Sequence, residues 1–267
     1  MRSVRLGAVG YLNARPLVYG LEGDSRFTIR YDVPSRCAAL LHEDRIDLGL
    51  IPSIEYLRGL ESYAIVPGLA IASRGPVVSV AMYTRRDGKD IRSIAMDTSS
   101  RTSVALATVL ARKAYGIAPS LVDAAPDLEA MLAAADAALI IGDNALLLDH
   151  LNVRAVQKID LGDVWTAMTG LPFVWAFWAG RAHVVTPADV RALEHARNEG
   201  ARHPHEIARD YFNGAPDQQA IGERYLRANI KYDLGSEEME GLVAFYQYAA
   251  ELALVSFDGE LRFYERD

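Results

Sequence analysis

The sequence predicts an α/β fold of largely parallel sheets in two lobes, with a helical tail. Short apolar runs alternate with helical patterns over most of the chain, the signature of such folds. A polar, Gly-containing stretch, Thr84–Asp90, interrupts the alternation and reads as a linker. After Gly180 the strand pattern stops and only helical spacing continues.

Taken in order, Val4–Val9 reads as the first strand, an apolar run well short of a signal peptide. Arg15–Gly20 follows as a short helix, with Pro16 where a helix would begin. Thr28–Val33 mixes β-branched and aromatic residues and reads as a strand, and Ser35–Glu43 as a helix opened by Pro34. Asp47–Ile51 is a strand passing into a helix, Ser53–Arg58, whose start is marked by Pro52 and Ser53. Ala64–Leu69 and Val77–Thr84 are strands, the second delivered by the Gly75-Pro76 turn. Ser93–Met96 is the next strand, followed by the helix Thr102–Tyr115. Asp127–Ala134 is a helix with an acid at its start, Ala137–Ile141 an unbroken apolar strand, Asn144–Leu151 a helix and Phe173–Ala179 the last strand. The tail contains Pro187–Glu199, Pro204–Phe212, Asp217–Asn229 and Ser236–Leu254. In the last of these Met239, Leu242, Val243, Tyr246, Ala249, Ala250 and Ala253 form one apolar stripe, which core packing explains. If Phe173–Ala179 returns the chain to the first lobe, that lobe comprises residues 1–84 plus 178–267 and the second 85–177. Two crossover strands then leave a cleft between the lobes, the usual seat of a small ligand.

A chain of 267 residues, 51% hydrophobic, can bury one large core or two modest ones. A net charge of −7 argues against a general nucleic-acid binder, so an anionic ligand must be attracted by local arginines and helix ends. No run of about 18 apolar residues exists to span a membrane. The expected compartment is the cytoplasm. The single cysteine, Cys37, excludes an intrachain disulfide and reads as a buried, inert thiol.

The most informative junction is Thr98-Ser99-Ser100-Arg101-Thr102-Ser103, leading into the apolar helix pattern from Val104. Hydroxyls and unpaired backbone N–H groups at a helix start make an anion seat, although Ser and Thr are also ordinary N-caps. Asn13 follows the first strand, where it can cap a helix or offer its amide at the sheet edge that collects ligands. Ser53 offers a hydroxyl near the same edge, while Asp47 reads as structural. Ser79 lies early on its strand beyond the Gly75-Pro76 turn and matters only if that face borders the cleft. Asp143 orients neighbours or caps a helix. The aromatics between Trp165 and Trp178 wall the hinge and cleft or pack as core. No dinucleotide, P-loop, zincin or nucleophile-elbow motif is present, and His203-Pro204-His205 lacks the acids for a metal site. No metal or organic cofactor is expected.

Gly10-Tyr11-Leu12-Asn13 with Pro16-Leu17, Gly75-Pro76-Val77-Val78-Ser79, Ser100-Arg101-Thr102-Ser103-Val104, Ile141-Gly142-Asp143 with Ala145-Leu146, and Trp165 with Thr169-Gly170-Leu171-Pro172-Phe173 occur in one order and spacing. Together they resemble the chorismate dehydratases of the futalosine route to menaquinone, from about residue 4 to 181. The tail is similar only in length and character, and nothing carries over to Arg15. The resemblance implies a type II periplasmic-binding-protein-like fold whose C-terminal helices pack on the first lobe. It also implies a hydro-lyase that removes water from chorismate to give 3-[(1-carboxyvinyl)oxy]benzoate. Asn13 and Ser79 are the implied catalytic residues, and Ser53, Ser99, Ser100, Arg101, Thr102 and Asp143 the implied substrate-binding ones. None of the motif side chains Asn13, Ser79, Ser100, Arg101 and Thr102 is a good general base at neutral pH, so the substrate's own enolpyruvyl carboxylate is the expected proton acceptor. The expected partner is the anionic small molecule alone, without nucleic acid or membrane, on a monomer or homodimer. Two alternatives share the fold: a carboxylate-binding protein without turnover, and a dihydroxynaphthoate synthase-like lyase, in which a cleft histidine would be expected.

Overall fold

The chain folds around two β-sheets in a computed structural model described for residues 3–59, 62–148 and 155–266. The first sheet opens with β1 (Val4–Val9), β2 (Phe27–Asp32) and β3 (Leu48–Pro52), which run parallel. The 3-10 turn Leu12–Val18 and helix α1 (Pro34–His42) lie in the connections. β4 (Tyr63–Ile65) and β5 (Ile71–Ser73) follow. The chain then crosses to a second sheet of β6 (Val80–Thr84), β7 (Ser93–Asp97), β8 (Ser120–Ala124), β9 (Ala137–Ile141) and β10 (Gln157–Asp160). It returns as β11 (Phe173–Arg181), between β3 and β4 in the first sheet.

Both sheets are mixed, which corrects the expectation of largely parallel ones. Every antiparallel pairing among the named strands involves β6 or β11. These strands begin just after a passage between sheets, so their direction answers to the crossing and not to a βαβ unit. The stretch Thr84–Asp90 is therefore not the passage between sheets; it joins β6 to β7 inside the second sheet. The change of sheet falls earlier, between Ser73 and Val80, at the Gly75-Pro76 turn, so Val80–Thr84 belongs with the second group of strands.

The remaining helices are α2 (Arg101–Lys113), α3 (Leu128–Ala134), α4 (Gly142–Leu147), α5 (Leu161–Thr169), α6 (Pro187–Gly200), α7 (Pro204–Tyr211), α8 (Pro216–Ala228) and α9 (Ser236–Glu251). α6 and α7 pack on the 3-10 turn after β1, while α9 lies on β11 and also meets α2. β5, β8, β10 and α5 were not expected from the sequence. β8 is an edge strand exposed along most of its length, and β10 is short and polar, so neither carries the apolar signal of a buried strand. The last predicted residues of the Asn144–Leu151 helix, Asp149–Leu151, lie outside the described residues.

The expected hinge aromatics divide. Trp165, Phe173 and Trp178 are fully buried, and Trp165 and Phe173 rings sit 5.2 Å apart, with Phe245 of α9 4.9 Å from Phe173. Edge-on ring pairs of this kind add about 0.5–1.5 kcal/mol each beyond area burial and tie α5, β11 and α9 together. Trp175 is the one of these rings that faces the cleft.

Candidate active site

A narrow cleft opens between the sheets, at the C-terminal ends of β1 and β3 and beside the start of α2. Asn13, Ser79, Ser100 and Ser103 line it, against apolar walls that include Ile71 and Trp175. No charged side chain lines it among the described residues.

Asn13 is not an N-cap. Tyr11 occupies the cap position, and Asn13 lies inside the 3-10 turn, its Nδ2 donating to the Tyr225 hydroxyl at 3.1 Å. Ser79 is 1% exposed, and its Oγ lies 2.7 Å from the same hydroxyl. The turn before Ser79 is tightly held. Val78 adopts a φ of +59°, a left-handed conformation that strains a β-branched residue. The Asp160 carboxylate accepts from the N–H of Val77 at 3.0 Å and of Val78 at 2.7 Å, and Lys158 Nζ donates to the Val78 carbonyl at 2.8 Å. Burial pushes the Lys158 ammonium below its ordinary pKa.

At the start of α2, Ser100 occupies the N-cap position without a side-chain bond to a backbone N–H of the helix. Its Oγ instead accepts from Ser103 Oγ at 3.1 Å, leaving the Ser100 proton free to face a ligand beside the positive end of a 13-residue helix. Ser99 does not line the cleft. It accepts from the Tyr11 hydroxyl at 3.1 Å and donates to Asp97 at 2.6 Å.

The other expected substrate-binding residues are turned elsewhere. Arg101 Nη1 donates to Glu55 at 2.7 Å, because that carboxylate is fully buried and needs cations; Arg58 at 3.0 Å and His42 at 3.2 Å complete its surroundings. Thr102 and Ser53 are fully buried in the joint between α2 and the 3-10 turn Ser53–Leu57. Thr102 Oγ1 accepts from the Ile54 N–H at 3.1 Å and lies 3.4 Å from Ser53 Oγ, which donates to the Val174 carbonyl at 2.8 Å. Asp143, at the start of α4, accepts from the Leu12 N–H at 3.2 Å and from the Tyr211 hydroxyl. Burial raises its pKa against the opposing pull of those donors.

Sequence reasoning missed Tyr225 and Asp160, and it quoted Tyr11 and Ser103 only within motifs, without a role of their own. Tyr225 and Asp160 carried no motif of their own, one being an apolar position of a tail helix and the other an acid in a short polar strand. Gly142 could have pointed to Tyr11. Its φ of +64° demands glycine, and a Cβ there would lie 2.8 Å from the Tyr11 ring.

A protein-family profile described as menaquinone biosynthesis matches residues 4–251. A chorismate dehydratase of Thermus thermophilus is 32% identical over 260 residues, covering 92% of this chain and 94% of the relative. Among solved structures, a Candida albicans protein described as having the generic periplasmic binding protein fold aligns with a TM-score of 0.67 and 10% identity, covering 100% of this chain and 99% of that one. An alkanesulfonate-binding protein from Xanthomonas axonopodis pv. citri bound to MOPS aligns with a TM-score of 0.69 and 15% identity, covering 96% and 94%. The fold is thus that of the periplasmic binding proteins.

Proposed function

The chain belongs to the menaquinone-biosynthesis family, and from that premise we propose that it is a carbon–oxygen lyase that dehydrates chorismate to 3-[(1-carboxyvinyl)oxy]benzoate. The observation that carries the reading is the chemistry of the cleft lining. It offers amide and hydroxyl groups and a helix N-terminus, but no carboxylate, imidazole or amine among the described residues. Such a cleft can hold a dianion and assist a departing hydroxyl, while the base comes from the substrate.

In this reading a substrate carboxylate sits at Ser100 and the first turn of α2. The enolpyruvyl carboxylate removes the proton from the ring carbon that bears the ether. The C–H electron pair passes into the ring and its conjugated carboxylate, then forms the new double bond as the neighbouring C–O bond breaks. The departing hydroxide takes up the abstracted proton, so water leaves and the ring becomes aromatic. Ser79 donates to the leaving oxygen, and Asn13 fixes the ring against it. No metal or organic cofactor enters these steps. The reading also carries two lobes built on the two sheets, with the first crossing at residues 74–79, and work in the cytoplasm.

The test is to mix the purified, chelator-treated protein with chorismate and follow the mass. Loss of one water to give an aromatic product is expected. Tight binding of unchanged chorismate would overturn the reading in favour of a binding protein.

A further inference from the structure

Asn13 and Ser79 come from different elements, yet both bond the same atom. Tyr225, on α8, is 2% exposed, and its hydroxyl stands behind the cleft wall between them. α8 is docked there a second time by Asn229 at its C-cap, whose Nδ2 donates to the Pro76 carbonyl at 2.8 Å. Pro76 belongs to the segment that delivers Ser79.

The directions of these bonds follow from the groups themselves. An amide nitrogen only donates, so the Tyr225 oxygen accepts from Asn13. The phenolic proton then needs an acceptor, and Ser79 Oγ is the one in reach among the described residues. Were Ser79 the donor, the phenolic proton would be stranded in a fully buried place, which is costly. Ser79 therefore accepts, and its own proton is left for the cleft. Burial keeps the phenol protonated by raising its pKa far above neutral pH.

We propose that Tyr225 is a positioning residue whose hydroxyl, accepting from Asn13 and donating to Ser79, aims the Ser79 proton at the leaving oxygen of the substrate. The inference rests on the reading of the cleft as a chorismate-dehydrating site.

Tyr225→Phe keeps the ring and removes the relay. Its kcat should fall at least about tenfold with KM within about twofold, since the relay acts on the reacting groups and not on the carboxylate seat. In a Ser79→Ala background the same substitution should lower kcat clearly less than it does in the wild type, because the bond to Ser79 is already gone and only the bond from Asn13 is left to lose. A kcat within twofold of wild type, or effects that simply multiply, would overturn the proposal. Wild-type protein that leaves chorismate unchanged would refute the functional reading separately. A crystal structure of Tyr225→Phe then separates the relay from packing: α8 and the segments that carry Asn13 and Ser79 left in place support the relay, and a displaced α8 or Ser79 turn refutes it.

Discussion

Replacing Asp160 with alanine tests whether the turn before Ser79 is held from outside. The Asp160 carboxylate accepts from the Gly162 and Asp163 N–H groups at the start of α5, at 3.0 and 3.1 Å, as well as from Val77 and Val78. Losing an N-cap acid costs about 1 kcal/mol. Each backbone bond to a carboxylate contributes about 1.5 kcal/mol at the low end, the relevant end because Val78 is only half-buried. The expected loss is about 4 kcal/mol, a large share of the roughly 5–15 kcal/mol of a typical domain. Val78 at φ +59° stores ~1–3 kcal/mol of strain that the freed turn would release by moving, which offsets part of that loss. Ser79 would move with it, and a 1 Å misplacement of a reacting group costs on the order of 10²-fold in rate. Urea denaturation gives the first quantity and chorismate turnover the second. Val78→Gly is the control: glycine takes this φ freely, so with Asp160 in place it should lose little activity. Asp160→Ala with stability within about 1 kcal/mol of wild type and undiminished kcat would refute the reasoning.

Four other substitutions probe the cleft and the contacts beside it. Arg101→Ala should change KM for chorismate less than about threefold, because Arg101 faces Glu55, whereas Ser100→Ala should raise it about tenfold, the ~1.4 kcal/mol of one hydrogen bond to a charged ligand; steady-state kinetics decide. Glu55 should show its ion cluster in acid. Burial alone would raise its carboxyl, but His42, Arg101 and Arg58 outweigh that and hold it below its ordinary value. A carboxyl lowered on folding stabilises above its unfolded pKa of about 4.3, and the contribution is lost as pH falls through the folded value. The stability gap between wild type and Glu55→Gln should therefore be full near pH 6 and shrink below about pH 4, and a gap constant across that range would contradict the assignment. Gly142→Ala should lower the melting temperature, through a left-handed alanine costing about 1–2 kcal/mol and a methyl pressed on the Tyr11 ring.

What the sequence made legible follows from how locally each feature is encoded. β1 and β9 are apolar runs bounded by polar or Gly-containing turns, and their limits coincide with prediction. The tail helices carry Pro or cap residues at their starts and full apolar faces, and they too fall within a few residues of expectation. The 3-10 turn Leu12–Val18 was misplaced because Pro16, read as a first helical residue, lies within it, where the i to i+3 pattern tolerates a missing N–H. Asn13, Ser79 and Ser100 were legible as cleft-lining residues because their motifs sit at strand ends and a helix start that face the cleft. Tyr225 had no such marker. Its importance comes from α8 folding back across more than 140 residues of sequence to reach Ser79, and no local pattern encodes that meeting.

The motif residues that do not line the cleft are as informative as those that do. Arg101 and Thr102, from the helix that leaves the second sheet, bond Glu55 and the Ile54 N–H beyond β3. Ser99 is held by Tyr11, and Asp143 by Leu12 and Tyr211, again across the cleft. Opening the cleft along this seam would break these bonds together, so each contributes to the fraction of molecules in which the Asn13 side faces the side that carries Ser79 and Ser100. Apparent affinity scales with that fraction. Such residues can mark a substrate-binding motif without touching substrate. Their loss should raise KM for chorismate in proportion to the closed form lost, by less than about threefold where the one exposed bond of Arg101 goes, and a Tyr11→Phe variant, which breaks one of these bonds while keeping the ring against Gly142, should show a higher KM with kcat preserved at saturation. A fall in kcat at unchanged KM would place Tyr11 in the chemistry instead.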